Sequence, residues 1–525
     1  MISFSLESVA LLVGAVGSLY ALQLYLDFRK GVNGFHNHPG YRTLIGQATL
    51  LGNMLPQIRY ISLGRNFGFR AKHEAFLKAG WDVYASVSAW PRTRAVLVLA
   101  DAAAIKEVTS SRSRFPKPVK QYKVLSFFGD NIVASEGEQW KRYRKITAPA
   151  FSDRNNRLVW DETVKIMQDM FNTKWENRDE IVVDHTVDIT LPIALFVIGV
   201  AGFGRNITWK EDTVLPAGHQ MTFKDALHVV STDVFLKLII PNWAMGLTKR
   251  FRTVRLAFDE LERYMLEMIY ARRSAEKKEE RYDLFSSLLD ASEDEDLAGG
   301  DAKLLNSELV GNIFIFLLAG HETTAHTLCF TFALLALYPE EQDKLYNHIK
   351  SVVPDDRLPT YEEMPLLSHS MAVFNETLRM FPPVTGIPKQ SAEDTVLTAS
   401  NASGQTKQVP VPQGTGIVIN TAGLHYNPRY WPDPYTFKPE RFLKEYNRDA
   451  FLPFSGGSRA CLGRKFFETE GIAILTMLIS KYRISVKEEP QFANETFDER
   501  KARILNAKPG LTLTPIRVPL VFTRR

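Results

Sequence analysis

Apolar and polar residues are distributed differently in successive parts of this chain. From Ser8 to Leu26 the run "SVALLVGAVGSLYALQLYL" carries no charge. As a helix it would extend about 28 Å, close to the hydrocarbon thickness of a bilayer. Glu7 precedes the run and Arg29 and Lys30 follow it, so the positive-inside rule puts the body of the chain on the cytosolic side. Its length and the position of the positive charge argue against a cleaved signal peptide. The next segment, "GVNGFHNHPG" (31–40), reads as a Gly/Pro hinge. Alternation in "RAVLVLAD" (94–101) predicts a short strand, and from about Trp140 to Met380 a period near 3.6 predicts helix after helix.

The acidic stretch "ASEDEDLAGGD" (291–301) reads as a solvated loop. After it, "NSELVGNIFIFLLAGHETTAHTLCFTFALLALYPE" predicts one long helix, with Ser307 as its cap, Glu308 favourable at its N-terminus and Pro339 as its stop. Apolar on most faces, that helix is expected to run through the interior. Beyond Pro382 the chain is Pro-rich with short strands, until a helix that follows Cys461. The final "LTLTPIRVPLVFTRR" reads as a hairpin. The expected fold class is mainly α with small β-sheets (α+β), preceded by a single N-terminal transmembrane helix. Its divisions are a luminal tip and anchor over 1–30, the hinge over 31–40 and one cytosolic body over 41–525.

Composition narrows the chemistry. Two cysteines, Cys329 and Cys461, exclude a disulfide framework and fit a reducing compartment. A net charge of +5 is compatible with an acidic protein partner or an anionic membrane face, and too weak to argue for nucleic acid. Sequons at Asn206, Asn375, Asn401 and Asn494 are expected to stay unused on a cytosolic body.

The densest candidate chemistry is "FLPFSGGSRACLGRKFFETEGIAILTMLI" (451–479). A phosphate loop is excluded, because Gly457 and Gly463 are followed by Arg464-Lys465 rather than Lys-Ser/Thr at Walker spacing. No Cys or His pairs stand near Cys461 at zinc spacing, and no signature picks out a partner histidine for a nucleophile. A haem-thiolate ligand fits each feature. A helix N-terminus lowers a thiol pKa, glycines let the backbone approach a ring, and Arg459 can reach a propionate. Here the sequence resembles the cytochrome P-450 family of haem-thiolate monooxygenases. Its Phe-x-x-Gly-x-Arg-x-Cys-x-Gly signature is met by Phe454, Gly457, Arg459, Cys461 and Gly463, with Ser455 and Ser458 in place of the commoner Gly and Pro.

Three further motifs carry the same resemblance. "AGHETT" (319–324) resembles the oxygen-activation motif, which implies proton delivery by Glu322 and Thr323 beside the small Ala319. The competing reading of Thr323 is a hydroxyl bonded to the preceding turn, and His321 is read as an outward-facing side chain. "NETLRMFPPV" supplies Glu376 and Arg379, which with Arg441 of "FKPERF" resemble the family's structural ion cluster. "GEQWKRYRKITAPAFS" supplies Trp140 and Arg144, matching haem-propionate contacts; Lys389 stands where an arginine usually makes another. Lys141, Arg142, Lys145, Arg464 and Lys465 would form a basic face for the electron donor.

The resemblance implies a cytochrome P-450 fold, haem b (iron protoporphyrin IX) on Cys461, and NADPH-cytochrome P-450 reductase as partner. It also implies a lipophilic substrate met by residues 126–133, Ile315, Ala319, Val384, Ile387 and Leu511, and an endoplasmic reticulum location. Sterols, triterpenoids, fatty acids and xenobiotics all fit such a pocket, with a bulky terpenoid or steroid preferred. The segment "FLKLIIPNWAMGL" (235–247) reads equally as a second membrane contact or as helix-end packing. Two alternatives stand beside the monooxygenase: isomerase or dehydratase chemistry without O2, and a non-catalytic membrane carrier of haem or lipid.

Overall fold

The structure, a computed structural model, describes residues 6–47, 49–204, 209, 215–274, 282–293 and 304–525. The sequon at Asn206, the N-terminal tip before Leu6 and most of the acidic stretch (294–301) lie outside the described residues. The chain folds into two units. One comprises Met1–Pro118, Val384–Tyr435 and Asn447–Ala460, the other Val119–Pro383, Thr436–Tyr446 and Cys461–Arg525.

In the first unit the uncharged run lies within one helix, α1 (Leu6–Gly34). It displays Leu11, Leu12, Val13, Val16, Leu19 and Leu22 to the outside. The helix continues through the expected hinge as far as Gly34, because its lower end has something to pack on. A Cβ on Gly31 would lie 3.3 Å from Val87 and 3.5 Å from Ala95, and the Tyr20 hydroxyl donates to the Pro91 carbonyl at 2.8 Å. The chain leaves the helix only at His36 and Asn37, both at positive φ.

Five short strands then form one sheet: β1 (Gly40–Ile45), β2 (Val83–Trp90), β3 (Arg94–Leu99), β5 (Gly386–Gln390) and β8 (Gly416–Asn420), in the order β1-β2-β3-β8-β5. β1 runs parallel to β2 and β3 parallel to β8, the other pairs being antiparallel. Tyr84 and Val98 from its central strands pack with Leu63, Phe67 and Phe76. A hairpin of β6 (Thr395–Ser400) and β7 (Thr406–Val411) stands beside it in sequence. The helix α2 (Ala102–Ser110) starts where the Asp101 carboxylate accepts the N–H groups of Ala103 and Ala104.

The second unit is mainly helical. Its long elements include α3 (Gly137–Thr147), α4 (Phe223–Ile239), α5 (Lys249–Arg273), α6 (Asn306–Leu337), α7 (Ser368–Met380) and α8 (Arg464–Lys481). The 32-residue α6 is the predicted interior helix, buried along most of its length. Its cap is Leu305 rather than Ser307: the Glu308 carboxylate reaches back to the Leu305 N–H at 2.9 Å and also accepts from Tyr143 at 2.6 Å and from Arg142. The C-terminal stretch is not a hairpin on itself. Its first strand, β11 (Leu513–Pro515), pairs with β10 (Ala507–Pro509). Its second, β12 (Leu520–Arg524), lies antiparallel between β4 (Glu180–Val183) and β9 (Tyr482–Val486).

One ion cluster fixes the segment that leads toward the cysteine loop. Glu376 and Arg379, one turn apart on α7, are both fully buried and joined by two bonds, Nε to Oε2 at 2.7 Å and Nη2 to Oε1 at 2.9 Å. Glu376 Oε1 also accepts the Lys438 N–H at 2.9 Å and faces Arg441 Nε at 3.4 Å. The buried Glu376 carboxylate is thereby fully compensated, the condition under which a buried ion is tolerated. Glu376→Ala would leave Arg379 buried without its counter-ion and is expected to cost about 3–5 kcal/mol, read as a lowered urea midpoint. Arg441→Ala, at a side chain with 10% exposure, is expected to cost less.

Candidate active site

The cysteine loop is shaped by one close approach. Gly457 has φ +64°, and a Cβ there would stand 2.1 Å from the Thr109 carbonyl oxygen of α2, so only glycine fits. Ser455 also has positive φ, +57°, which explains why a glycine is commoner at that position. A 3-10 turn over Gly457–Arg459 follows, with Phe454 and Arg459 half-buried. Cys461 is a free thiol with accessible surface. Its pKa differs from the sequence-based expectation. Desolvation by surrounding protein pushes the thiol up, outweighing the Gly463 N–H and the Arg464 cation that favour the thiolate. A helix N-terminus alone therefore does not ionise this sulfur.

Beyond its exposed first residues, Asn306 and Ser307, the helix α6 is uncovered mainly in one interior stretch. Phe316, Gly320, Glu322 and Thr323 are half-buried and Ala319 is exposed, between fully covered turns. Ile315 is buried, at 2% exposure. The Thr323 hydroxyl donates to the Ala319 carbonyl at 2.7 Å, the competing reading of that residue. His321 is not outward-facing: it is buried, its Nδ1 lies 2.8 Å from the Leu317 carbonyl, and burial lowers its pKa to about 4.

Burial raises Glu322 to about 7, against a hydrogen bond from Thr512 that lowers it. Two polar partners in this region had no readable sequence signal. Thr512 bonds His326 Nδ1 at 2.8 Å, and the buried Glu470 of α8 lies 3.3 Å from the Thr324 hydroxyl, to whose oxygen a protonated carboxyl can donate. Burial pushes the Glu470 carboxyl well up.

On α3, Trp140 is buried and the Arg144 guanidinium lies over its ring at 5.8 Å. Trp140, Lys141, Arg144, Lys145, Ala148 and Pro149 line a cleft of about 420 Å³. The expected basic face is thinner than the sequence suggests. Arg142 turns to Glu308, Lys141 pairs with Glu138 at 2.6 Å and Arg464 with Glu468 at 2.8 Å.

Lys389 on β5 is buried, at 5% exposure, while Val384 is exposed and Ile387 half-buried in the same unit. Leu511 is half-buried in the turn between β10 and β11, which the Leu513 N–H ties to the Pro383 carbonyl at 2.9 Å. Within residues 126–133, Asn131 bonds the Leu125 carbonyl at 2.6 Å, and the Ile132 N–H donates to Asn312 of α6 at 3.0 Å.

A family model described as cytochrome P-450 matches residues 67–514. The chain belongs to the cytochrome P-450 family. It is 56% identical over 523 residues to cytochrome P-450 monooxygenase 124 of Postia placenta, covering 99% of this chain and 100% of that protein. A cyclooctat-9-en-7-ol 5-monooxygenase of Streptomyces melanosporofaciens is 30% identical over 69% of this chain and 74% of that protein. The crystal structure of a cytochrome P-450DA haem domain has the same fold, with a TM-score of 0.70 at 22% identity over 87% of this chain and 93% of that one. The chain is thus an enzyme of a monooxygenase family whose cofactor is a haem-thiolate. The residues fit that group: an accessible cysteine, a glycine turn pressed against α2, an open cleft beside Trp140 and Arg144, and a gap in the cover of α6.

The raised Glu322 has a consequence for stability. Its folded pKa of about 7 lies above the ordinary 4.5, so its contribution is intact below pH 4.5 and is lost as pH rises through 7. That rise is worth about 3 kcal/mol at alkaline pH. Glu322→Gln is expected to match the parent protein in chemical denaturation at pH 4 and to exceed it by up to about that amount at pH 8.

Proposed function

We propose that this cytochrome P-450 inserts one oxygen atom of O2 into a bulky lipophilic substrate of the sterol or triterpenoid class. Its electrons come from NADPH through a flavoprotein reductase. The observation that carries this reading is the interior break in the cover of α6, which presents Ala319, Glu322 and Thr323. Haem b, when bound, supplies dioxygen binding and activation. Cys461 would hold its iron through the thiolate, and Phe454 would lie against the ring. Trp140, Arg144, Lys389 and Arg459 would hold the propionates, with the Arg144 guanidinium already lying over the Trp140 ring.

Glu322, with its pKa near 7, holds a proton at neutral pH and is still able to release it. The Thr323 hydroxyl donates to the Ala319 carbonyl and can accept a hydrogen bond on its oxygen, so it relays a proton by taking one there and giving up its own hydrogen in exchange. Ile315, Ala319, Val384, Ile387 and Leu511 supply apolar surface for substrate. The Streptomyces relative, named for action on cyclooctat-9-en-7-ol, supports a lipophilic alcohol or hydrocarbon as substrate.

Membrane anchoring through α1 belongs to the same proposal, with the endoplasmic reticulum as site and the body cytosolic. The candidate span, Ala10–Gly34, is without burial in its apolar window. Ile239, Trp243 and Leu247, between 63% and 79% exposed, support a second contact with lipid over residues 235–247.

The test of function is the carbon monoxide difference spectrum of the reduced holoprotein. A Soret band shifted far to the red is expected, and it should vanish in Cys461→Ser; its absence in haem-loaded protein would exclude thiolate ligation. With reductase added, NADPH-dependent O2 uptake separates the monooxygenase from an isomerase or dehydratase. Thr323→Ala is expected to raise hydrogen peroxide released per NADPH severalfold, whereas a carrier would be indifferent.

Topology has its own check. Asn401 and Asn494 lie in surface turns, and in a protein expressed in yeast microsomes both should remain free of glycan. A mobility shift on treatment with N-glycosidase would put the body in the lumen.

A further inference from the structure

Thr512 lies in the turn between β10 and β11, 6% exposed, and its hydroxyl meets two groups from successive turns of α6. It hydrogen-bonds the Glu322 carboxyl and stands 2.8 Å from His326 Nδ1. The other Glu322 oxygen, Oε2, is buried without a hydrogen-bond partner. A hydroxyl has one hydrogen, so this chain has two complementary arrangements. With Glu322 ionised, Thr512 donates to the carboxylate and accepts from His326 Nδ1–H. With Glu322 neutral, the carboxyl O–H donates to Thr512, and Thr512 donates to a bare His326 Nδ1 whose proton sits on Nε2.

Passing from the first arrangement to the second takes up one proton at His326 Nε2. The Nδ1 proton moves to Thr512 Oγ1, and the Thr512 proton moves to Glu322. One proton enters, one arrives, and His326 begins and ends neutral. The surroundings keep it neutral. Burial lowers its pKa to about 3; of the groups facing it, His321 on α6, His185 ahead of the helix Val187–Val197 and Lys508 on β10, the Lys508 cation opposes a positive charge there at neutral pH and the two histidines do so once protonated. His228 faces His321 in the same sense. An imidazole that resists holding the proton passes it on.

We propose that Thr512 and His326 position Glu322 and return its proton after each release, Thr512 setting the pH at which it titrates and His326 carrying the incoming proton. This rests on the reading of Glu322 as proton donor. The geometry lies within one unit and involves no residue of the cysteine loop.

The test uses the infrared C=O stretch of the protonated Glu322 carboxyl in the holoprotein, assigned by its loss in Glu322→Gln. Thr512→Val removes the donor to the carboxylate and is expected to raise the titration midpoint by about one pH unit, with Thr512→Ser restoring it. His326→Asn keeps an N–H donor for Thr512 but cannot exchange tautomers. It should hold the parent midpoint, while regain of the C=O band after a rapid drop in pH slows by about a hundredfold.

An unchanged midpoint in Thr512→Val, or unchanged recovery in His326→Asn, would overturn the proposal in protein whose haem spectrum and unfolding are intact. A Glu322→Gln variant that releases no extra hydrogen peroxide during reductase-supported NADPH oxidation would instead overturn the donor role of Glu322. The infrared result would still decide the link to Thr512 and His326.

Discussion

A carboxylate enclosed by guanidinium groups holds the second unit to its purpose. Glu376 is wholly buried, and an isolated charge at such a place would cost several kcal/mol. It is tolerated because Arg379 offers two parallel bonds, Lys438 an amide and Arg441 a further cation. These partners come from α7 and from the segment 436–446, so satisfying the charge fixes where that segment runs. The chain enters the cysteine loop a few residues later. The cluster touches no chemistry; it leaves the following residues little freedom in where they begin.

A second constraint arises from sending a helix through the interior with polar residues on it. Along α6 the hydroxyls of Thr323, Thr324, Thr327 and Thr331 each donate back to the carbonyl one turn earlier, at 2.7 to 2.9 Å. Such bonds satisfy a buried hydroxyl locally and need no partner from elsewhere. His321 is treated in the same way through Leu317. Carboxyls have no such recourse, since an ionised one only accepts. Glu322 and Glu470 consequently keep their protons to higher pH, and both find hydroxyl partners, Thr512 and Thr324. The pressure of burial that makes a carboxyl expensive here also makes it a proton store.

The parts of this account legible in the sequence are those set by local pattern. The apolar surplus of α6, the alternation of β3, the stop at Pro339 and the i,i+3 spacing of Glu376 and Arg379 are short-range signals, and the structure contains each. The cysteine signature was legible because its glycine answers to a steric demand, the Thr109 carbonyl 2.1 Å from any Cβ. What was misread depends on distant partners. Residues 31–40 read as a hinge because glycine and proline usually loosen a chain, yet α1 runs on to Gly34 and the turn comes only after it, since Gly31 lets the helix lie against Val87 and Ala95. The last strands read as a hairpin because they adjoin in sequence, while β12 takes its partners from β4 and β9. Thr512 and Glu470 carried no signal, since their meaning comes from the α6 residues they meet.

The thiol shows how one environment can favour opposite charge states. Packed protein around Cys461 disfavours a bare thiolate, and the Gly463 N–H with Arg464 only partly compensates. Beside a metal cation the sign reverses: attraction between opposite charges strengthens in low dielectric, and a coordinating thiol is deprotonated outright. A site that keeps its sulfur protonated until a cation arrives gives up a proton on ligation, and until then its thiol is a poor nucleophile and resists oxidation. A catalytic cysteine requires the contrary, a thiolate maintained by the protein alone. A raised thiol pKa therefore speaks against a nucleophile activated by the protein alone, a distinction that the loop's spacing could not draw.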